Sequence, residues 1–393
     1  MGLVLASRST GGTSPDGRRS GRTQSQPMTT TIHLSGPADV LAVLPYQLGF
    51  HPKDSLVAVS LDGTRLGLVQ RIDLPPPENV VEAVSSMLAP LRPAPAAILL
   101  IGFEDREGES RAMLDEMADA CLARGIEVAD RLVVRGGRWF DLDCVQSCCP
   151  PGGLPLPPPS AVPAVAEYVG REICPLPDRA ALADLLEPGS PLPGGAVPRL
   201  AGEWLRLRAE ATDVEVAAPG VGESELDGFR SNELAVWAVV LCDRDDAEPV
   251  RDLSPQDLAM LAASLTDVDL RDALIAWLCP GTLPEDLIEP VLRAQLSRAL
   301  AEPPWLDPDI PEIDSVIGQQ RIERRLCELS AALPDVWAVS TLTVLASFTW
   351  WRGDGALTRM ALDRALRIDP QHRLAQLLER MVDLAIRPVR ASA

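Results

Sequence analysis

Two proline-dense stretches constrain this chain more than any other feature. Residues 149–159 read Cys-Pro-Pro-Gly-Gly-Leu-Pro-Leu-Pro-Pro-Pro, and residues 187–198 contain a second Pro/Gly-rich break. Proline has no amide hydrogen to donate, so this composition predicts neither a helix nor a sheet ladder there. Strand and helix patterns both occur before the first stretch, whereas only helical patterns follow residue 199. The sequence therefore predicts an α/β domain with a mixed sheet flanked by helices, followed by an all-helical domain.

The domain boundaries follow from these breaks. We predict a disordered N-terminal extension over residues 1–28, the α/β domain over 29–149, a linker with short helices over 150–200, and the all-helical domain over 201–393. A chain of 393 residues exceeds the usual size of one domain, about 100–200 residues. Hydrophobic patterning begins at Met28, so we expect the folded part, and a candidate start of translation, there.

Alternating and continuous apolar runs define the expected sheet. Residues 55–61 and 66–72 are rich in Val, Leu and Ile, and Asp62-Gly63 between them is a hairpin signal. Residues 96–101 form a continuous apolar run that is typical of a buried central strand. An amphipathic helix over 110–124 and a closing strand pair over 128–142 complete the α/β domain.

The second half shows successive amphipathic helices, the first predicted over residues 202–211. Near the end, residues 356–367, the turn Asp369-Pro370 and the chain from Arg373 onward resemble the middle of a tetratricopeptide hairpin, because Ala365 and Pro370 fall at the spacing that such repeats use. No second copy follows at a 34-residue period, so ordinary helical packing is the alternative.

Net charge, the length of apolar runs and the cysteines predict which partners and which cellular location to expect. A formal net charge of −20 repels phosphate backbones, so we expect no nucleic-acid partner. No apolar stretch approaches the ~20 residues needed to cross a bilayer, which predicts no membrane partner. Eight scattered cysteines without a secretory signal indicate reduced thiols and a cytoplasmic location.

One block carries a family resemblance. Residues 34–57, Leu-Ser-Gly-Pro-Ala-Asp-Val-Leu-Ala-Val-Leu-Pro-Tyr-Gln-Leu-Gly-Phe-His-Pro-Lys-Asp-Ser-Leu-Val, resemble the opening of an actinobacterial family called domain of unknown function 4192. The likeness continues through residues 71–75, 138–144, 148–152, 270–274 and 350–356, and it spans nearly all of 28–388. The resemblance implies no activity, cofactor or catalytic residue that can be carried over to this chain.

Several chemistries are excluded by residue content. Lys53 is the single lysine, and no Gly-Lys-Ser/Thr loop is present, so a P-loop is excluded. A pyridoxal Schiff base would have to use Lys53, which has no supporting signal. No G-x-G-x-x-G follows a predicted strand, which argues against a dinucleotide site. We therefore predict no organic cofactor.

The first candidate site is a hydrolase or transferase centre around the turn Phe50-His-Pro-Lys-Asp-Ser55. His51 would act as acid and base, Asp54 would orient it, and Ser55 or a substrate group would be its partner. Arg71 and Asp73 share one face of a strand and could hold a ligand. The alternatives are a turn in which Asp54 and Ser55 satisfy backbone amides, and a structural Arg71–Asp73 salt bridge.

The second candidate site is the cysteine cluster Cys144, Cys148 and Cys149. Three thiols at this spacing can serve zinc binding, with His51 or Cys174 as a fourth ligand, or thiol redox chemistry. Buried apolar anchoring of the linker is the alternative. The acidic pair Asp141/Asp143 can bind Mg²⁺, but such pairs also arise by chance in a chain with 56 acidic residues.

Because the sequence shows no catalytic signature, it predicts a non-enzymatic binding or regulatory protein whose helical domain binds a protein partner. The hydrolase or transferase site near His51 and the zinc or redox site are its two alternatives. The sequence gives no oligomeric state.

Overall fold

The computed structural model divides the chain into two compact units, residues 1–178 and residues 179–391, with the boundary inside the predicted linker. It describes residues 3–6, 31–34, 36–63, 65–91, 94–144, 149–188, 196–217, 223–244, 246–300, 303–307, 310, 312–384 and 386. The N-terminal unit is mixed α/β and the described part of the C-terminal unit is helical, which confirms the predicted order of an α/β part followed by a helical part. The tetratricopeptide-like hairpin stays a prediction. Most of the predicted N-terminal extension lies outside the described residues, so its disorder stays a prediction, although Leu3–Ala6 forms a strand.

The N-terminal unit is built on one eight-stranded sheet in the order β2-β1-β4-β3-β5-β6-β7-β8. Pair β5–β6 is parallel, and β3–β4, β3–β5, β6–β7 and β7–β8 are antiparallel. The strands are β1 Leu3–Ala6, β2 Thr31–Leu34, β3 Ser55–Asp62, β4 Arg65–Asp73, β5 Ala97–Phe103, β6 Glu127–Arg135, β7 Arg138–Asp141 and β8 Leu154–Pro155. The helices of this unit are α1 Pro37–Leu48, α2 Val80–Leu88, α3 Arg111–Leu122 and α4 Pro163–Val169.

The core of this unit forms because the central strands β3, β5 and β6 bury residues that the sequence pattern marks as apolar. Helices α2 and α3 cover one face of the sheet through a cluster that includes Leu56, Leu100 and Met117. The parallel connection from β5 to β6 runs through α3, as a parallel pair requires a crossover. The β3–β4 hairpin turns at Gly63, whose φ of +61° suits glycine.

One prediction about the proline-rich stretch is wrong. Leu154–Pro155 pairs antiparallel with β7, with Trp139 opposite Leu154, and so continues the sheet. Because β8 is the last strand in the sheet order, Pro155 can occupy an edge position where no amide donor is required.

The return of the chain into β8 is fixed by Arg138 and Gly153. The Arg138 guanidinium donates to the carbonyl oxygens of Gly152 at 2.5 Å and Gly153 at 2.8 Å. Gly153 has a φ of +69°, and a Cβ there would lie 2.7 Å from the Phe140 ring. The turn therefore requires glycine, and it brings Cys149 back toward the end of β7.

The C-terminal unit contains no strand among its described residues. Its helices are α5 Arg179–Asp184, α6 Ala196–Ala217, α7 Glu223–Val240, α8 Pro255–Ser264, α9 Val268–Leu278, α10 Pro290–Leu300, α11 Glu312–Ala332, α12 Asp335–Arg352, α13 Gly355–Ile368 and α14 Arg373–Asp383. Helix α12 is the most buried, with apolar side chains around its whole circumference. Across the described residues, no helix has the length and apolar character needed to span a bilayer.

A partly buried ion cluster joins α6, α7 and α9. Asp267 accepts hydrogen bonds from Arg208 at 2.5 Å and Arg230 at 2.6 Å, and it also caps α9 by accepting from the backbone amides of residues 269 and 270. Glu233, which is fully buried, accepts from Arg230 at 2.9 Å and from the Trp204 indole at 3.1 Å. Two acids facing two arginines balance the charge of this cluster.

Candidate metal centre

The site is built where β7 ends. The Asp141 side chain accepts hydrogen bonds through Oδ1 from the backbone amides of Asp143 at 2.9 Å and Cys144 at 3.1 Å. Aspartate commonly makes such a turn with its own following backbone. The turn orients the carboxylate and places Cys144 beside it, and neither of these two bonds uses Oδ2.

Three potential ligands converge at this turn. One carboxylate oxygen of Asp141, Sγ of Cys144 and Sγ of Cys149 all lie within 4.8 Å of one another, and all three residues are half-buried. In a tetrahedral zinc site, Zn–S bonds of about 2.3 Å and Zn–O bonds of about 2.0–2.2 Å put ligand atoms roughly 3.5–3.8 Å apart. A contraction of at most about 1.3 Å therefore converts this arrangement into a zinc coordination shell.

The three ligands line a cavity of about 250 Å³. Its walls combine polar groups with the side chains of Trp139, Phe140, Leu142 and Leu154. A concave site in which apolar walls surround a few convergent polar groups is the usual form of a binding site. A fourth coordination position facing this cavity can take a water molecule.

Charges around the site favour a cation. Burial raises the pKa of Asp130, and the nearby carboxylates of Asp141 and Asp143 raise it further. Hydrogen bonding from Arg131, at 2.5 and 2.9 Å, lowers the pKa of Asp143. Arg131 also bonds Asp115 at 2.6 Å, so its single positive charge is divided between two carboxylates. The carboxylates of Asp130, Asp141 and Asp143 thus lie close enough to disfavour one another's ionisation, and a bound cation would relieve that repulsion.

The structure brings together two of the three predicted cysteine ligands. Cys144 and Cys149 meet, whereas Cys148 lies outside the described residues. The suggested fourth ligands, His51 and Cys174, are not part of this group of ligand atoms. Sequence reasoning missed Asp141 as their partner. Its spacing to Cys144, Asp-x-x-Cys, matches a Cys-x-x-Cys zinc knuckle with a carboxylate in the first position and was the available signal.

The turn at His51 is tied down by structural contacts. The His51 amide donates to the Leu176 carbonyl at 3.0 Å, and the side chain of His51 is exposed. Lys53 forms an ion pair with Asp178 at 3.1 Å. Asp54 has a φ of +41°, a left-handed conformation that aspartate tolerates better than most residues. These contacts account for Lys53 and Asp54, whereas the contact of His51 uses its backbone amide and not its imidazole.

The other members of this candidate site do form a contact. Arg71 bonds the Asp73 carboxylate at 2.5 Å and the Lys53 carbonyl at 3.2 Å, so the alternative of a salt bridge is present. The Arg71 guanidinium also lies over the Phe50 ring, 5.5 Å from its centroid. Ser55 is fully buried, and no partner for its hydroxyl is found among the described residues. A nucleophile must contact its substrate, so this placement disfavours Ser55 in that role.

Glu104 occupies the position where sheets of this kind often hold a ligand, just beyond the carboxyl end of β5. Its side chain is only 2% exposed. Burial raises its pKa, but hydrogen bonds from Ser110, Gly108 and Arg135 outweigh burial and hold the pKa below the ordinary value. The amide and hydroxyl of Ser110 donate at 2.9 and 2.7 Å, and Arg135 donates at 2.7 Å. Glu104 therefore organises the loop that leads into α3.

The protein is thus a two-unit α/β plus helical protein with a Cys/Cys/Asp cluster near the end of β7. The chain matches the family described as domain of unknown function (DUF4192) over residues 37–389 and belongs to that family. No curated protein and no solved structure matches the chain.

Proposed function

We propose that this protein is a non-enzymatic, zinc-binding regulatory protein, with Asp141, Cys144 and Cys149 as ligands. The observation that carries the proposal is the convergence of these three ligand atoms to within 4.8 Å. Thiolates are soft ligands that select zinc over magnesium or calcium, which prefer all-oxygen shells. The Oδ1 hydrogen bonds of Asp141 supply the outer contacts that orient a metal ligand.

The cavity is large enough for a metal ion and its water. Its volume of about 250 Å³ lies just below the roughly 300–1,000 Å³ of ordinary ligand pockets, so it also leaves room for a small molecule about the size of benzene. The non-enzymatic part of the proposal is supported by residue content, because the sequence has no P-loop, dinucleotide or pyridoxal signature. The zinc would link the end of β7 to the chain that returns as β8. Metal occupancy then controls how firmly residues 149–155 are held against the sheet.

The same proposal includes a cytoplasmic location and a protein partner. A cytoplasmic location is supported by the thiol state of the described cysteines, since reducing compartments keep thiols unpaired. A tetratricopeptide-like role of α13 and α14 is part of the proposed partner binding, supported by the short 369–372 connection between these helices. Affinity purification of zinc-loaded and zinc-free protein tests the partner, which should be recovered in different amounts from the two forms.

The experiment for the metal site is a zinc competition titration of the reduced full-length chain with a chromophoric chelator. We expect one tightly bound zinc ion per chain in the wild type. Cys144→Ser and Asp141→Asn should abolish stoichiometric binding, because each removes one of three protein ligands. Asp141→Asn keeps the Oδ1 acceptor, so the local turn is preserved.

Two matched variants control this experiment. Cys174→Ser removes an exposed thiol of the same unit, and Asp143→Asn removes an equal charge two residues from the ligand. Both should retain one zinc ion per chain. Wild-type protein that leaves all zinc with the chelator would disprove the proposed function.

A further inference from the structure

We infer that Cys144 and Cys149 are a peroxide-sensitive thiol pair, and that its oxidation to a disulfide releases the bound metal. The inference rests on the proposed function for its metal-releasing half. The two cysteines would then be a site of reversible oxidation that regulates metal binding, with hydrogen peroxide as the oxidant and a dithiol as the reductant.

The geometry allows the two sulfur atoms to join. Their Sγ atoms lie within 4.8 Å, and a disulfide requires about 2.05 Å, so the approach needed is less than about 3 Å. The bonds from Arg138 hold the chain at Gly152 and Gly153, three residues beyond Cys149. Cys149 can therefore move toward Cys144 without breaking the anchor of β8.

Accessibility separates this pair from the buried cysteines. Cys144 and Cys149 are half-buried and line a cavity large enough for peroxide. Cys121, in the same unit, is fully buried, and burial raises the pKa of its thiol. A thiol that stays protonated and out of contact with solvent reacts slowly with peroxide. Oxidation of the pair is thus favoured over oxidation of Cys121. Cys174 is exposed as well, but in the pair a second sulfur within 4.8 Å can capture the sulfenic acid as a disulfide.

The chemistry balances with one peroxide per pair. One thiolate attacks the peroxide, an S–O bond forms, the O–O bond breaks, and a sulfenic acid and water result. The second thiol then displaces the sulfenic oxygen as water, and the S–S bond forms. Two thiols lose two electrons and two protons, and hydrogen peroxide is reduced to two water molecules.

The disulfide removes two of the three protein ligands. Sulfur in a disulfide no longer carries the thiolate charge that binds zinc, so only the Asp141 carboxylate remains. A single carboxylate does not hold zinc against bulk water. Reduction by a dithiol restores both thiolates and with them the site.

The test uses full-length protein loaded with one equivalent of zinc and then treated with one to ten equivalents of hydrogen peroxide. A chromophoric chelator measures released zinc, and peptide mass spectrometry maps the disulfide. We expect a Cys144–Cys149 disulfide, one zinc released per disulfide formed, and full return of both signals after dithiothreitol. Cys174→Ser should behave like the wild type, whereas Cys149→Ser should form no such disulfide.

The outcomes separate the two proposals. Elemental analysis before oxidation decides zinc binding, and the disulfide map, also recorded on zinc-free protein, decides the thiol pair. Three results would overturn the inference: both thiols remain unpaired after peroxide, the new disulfide involves Cys148, or zinc stays bound after the Cys144–Cys149 disulfide has formed. Circular dichroism of each variant verifies folding, and Asp141→Asn provides a second variant in which disulfide formation should persist.

Discussion

Replacing Asp267 with asparagine tests how the helical unit is held together. The substitution keeps an oxygen that can accept from the amides of residues 269 and 270, which start α9. It removes the negative charge that bonds Arg208 at 2.5 Å and Arg230 at 2.6 Å. The loss of stability therefore reports the charge interaction rather than the helix cap.

The magnitude follows from the pKa of Asp267. Burial raises this pKa, but hydrogen bonds from Arg230 and Arg208 outweigh burial and lower it from 3.8 to about 2. A shift of this size corresponds to about 2.5 kcal/mol at neutral pH. The side chain is only 18% exposed, so little of this value is lost to solvent screening. Because the folded pKa lies below the unfolded one, the contribution is present above pH ~4 and about half of it is gone at pH ~3.

The assay is urea denaturation followed by tryptophan fluorescence. Seven of the eight tryptophans lie beyond residue 178, so the signal reports the C-terminal unit. We expect Asp267→Asn to lower the free energy of unfolding by about 2–3 kcal/mol at pH 7, with a smaller loss near pH 3. Asp269→Asn removes an exposed charge from the same helix end and should change stability by less than about 0.5 kcal/mol. An equal loss at both pH values, or none at pH 7, would refute the reasoning.

Three further predictions concern the N-terminal unit. Gly153→Ala should destabilise this unit by about 1–3 kcal/mol and weaken zinc binding, because the new Cβ meets the Phe140 ring. Thermal unfolding measures the loss, and Gly152→Ala, whose Cβ would enter open space, is the control that should show little change. Glu104→Gln should lower the free energy of unfolding at pH 7 by about 1.5–3 kcal/mol, because the charge-assisted hydrogen bonds of the carboxylate are lost. The effect should be smaller below pH ~4.5, since the folded pKa lies below the unfolded one. An unchanged melting temperature at pH 7 would contradict this prediction. Zinc binding should release up to two protons from Cys144 and Cys149, measured by calorimetry in buffers of different ionisation enthalpy, and a heat independent of the buffer would exclude thiolate ligands.

Much of the fold could be predicted from local patterns because its hydrophobic periods change so clearly along the chain. The β3–β4 hairpin and the buried strand β5 have the bounds that Asp62-Gly63 and the apolar run 96–101 indicate, to within two residues. Helix α6 begins at Ala196 rather than at the predicted residue 202, because Pro198 falls in its first turn, where proline costs no hydrogen bond. In both stretches the composition predicts a break at proline, whereas the structure accommodates Pro155 at the edge of the sheet and Pro198 in the first turn of α6.

The candidate site was only half predictable. Cysteine clustering in the sequence singled out Cys144 and Cys149, since both lie on one short stretch. The local turn of Asp141 places Cys144 beside its carboxylate. Cys149 joins them because Arg138 and Gly153 fold the proline-rich chain back along β7, and this register depends on contacts between distant residues. The glutamate at residue 104 was missed for the same reason, because its partner Arg135 lies 31 residues away.

The most direct test of the zinc site is X-ray absorption spectroscopy of the zinc-loaded, reduced protein at the zinc K edge. The account predicts two sulfur neighbours at about 2.3 Å and two oxygen or nitrogen neighbours at about 2.0–2.2 Å, whereas zinc added to Cys144→Ser should give the spectrum of the aqueous ion. A shell of six oxygen or nitrogen atoms without sulfur, or a spectrum unchanged in Cys144→Ser, would contradict it.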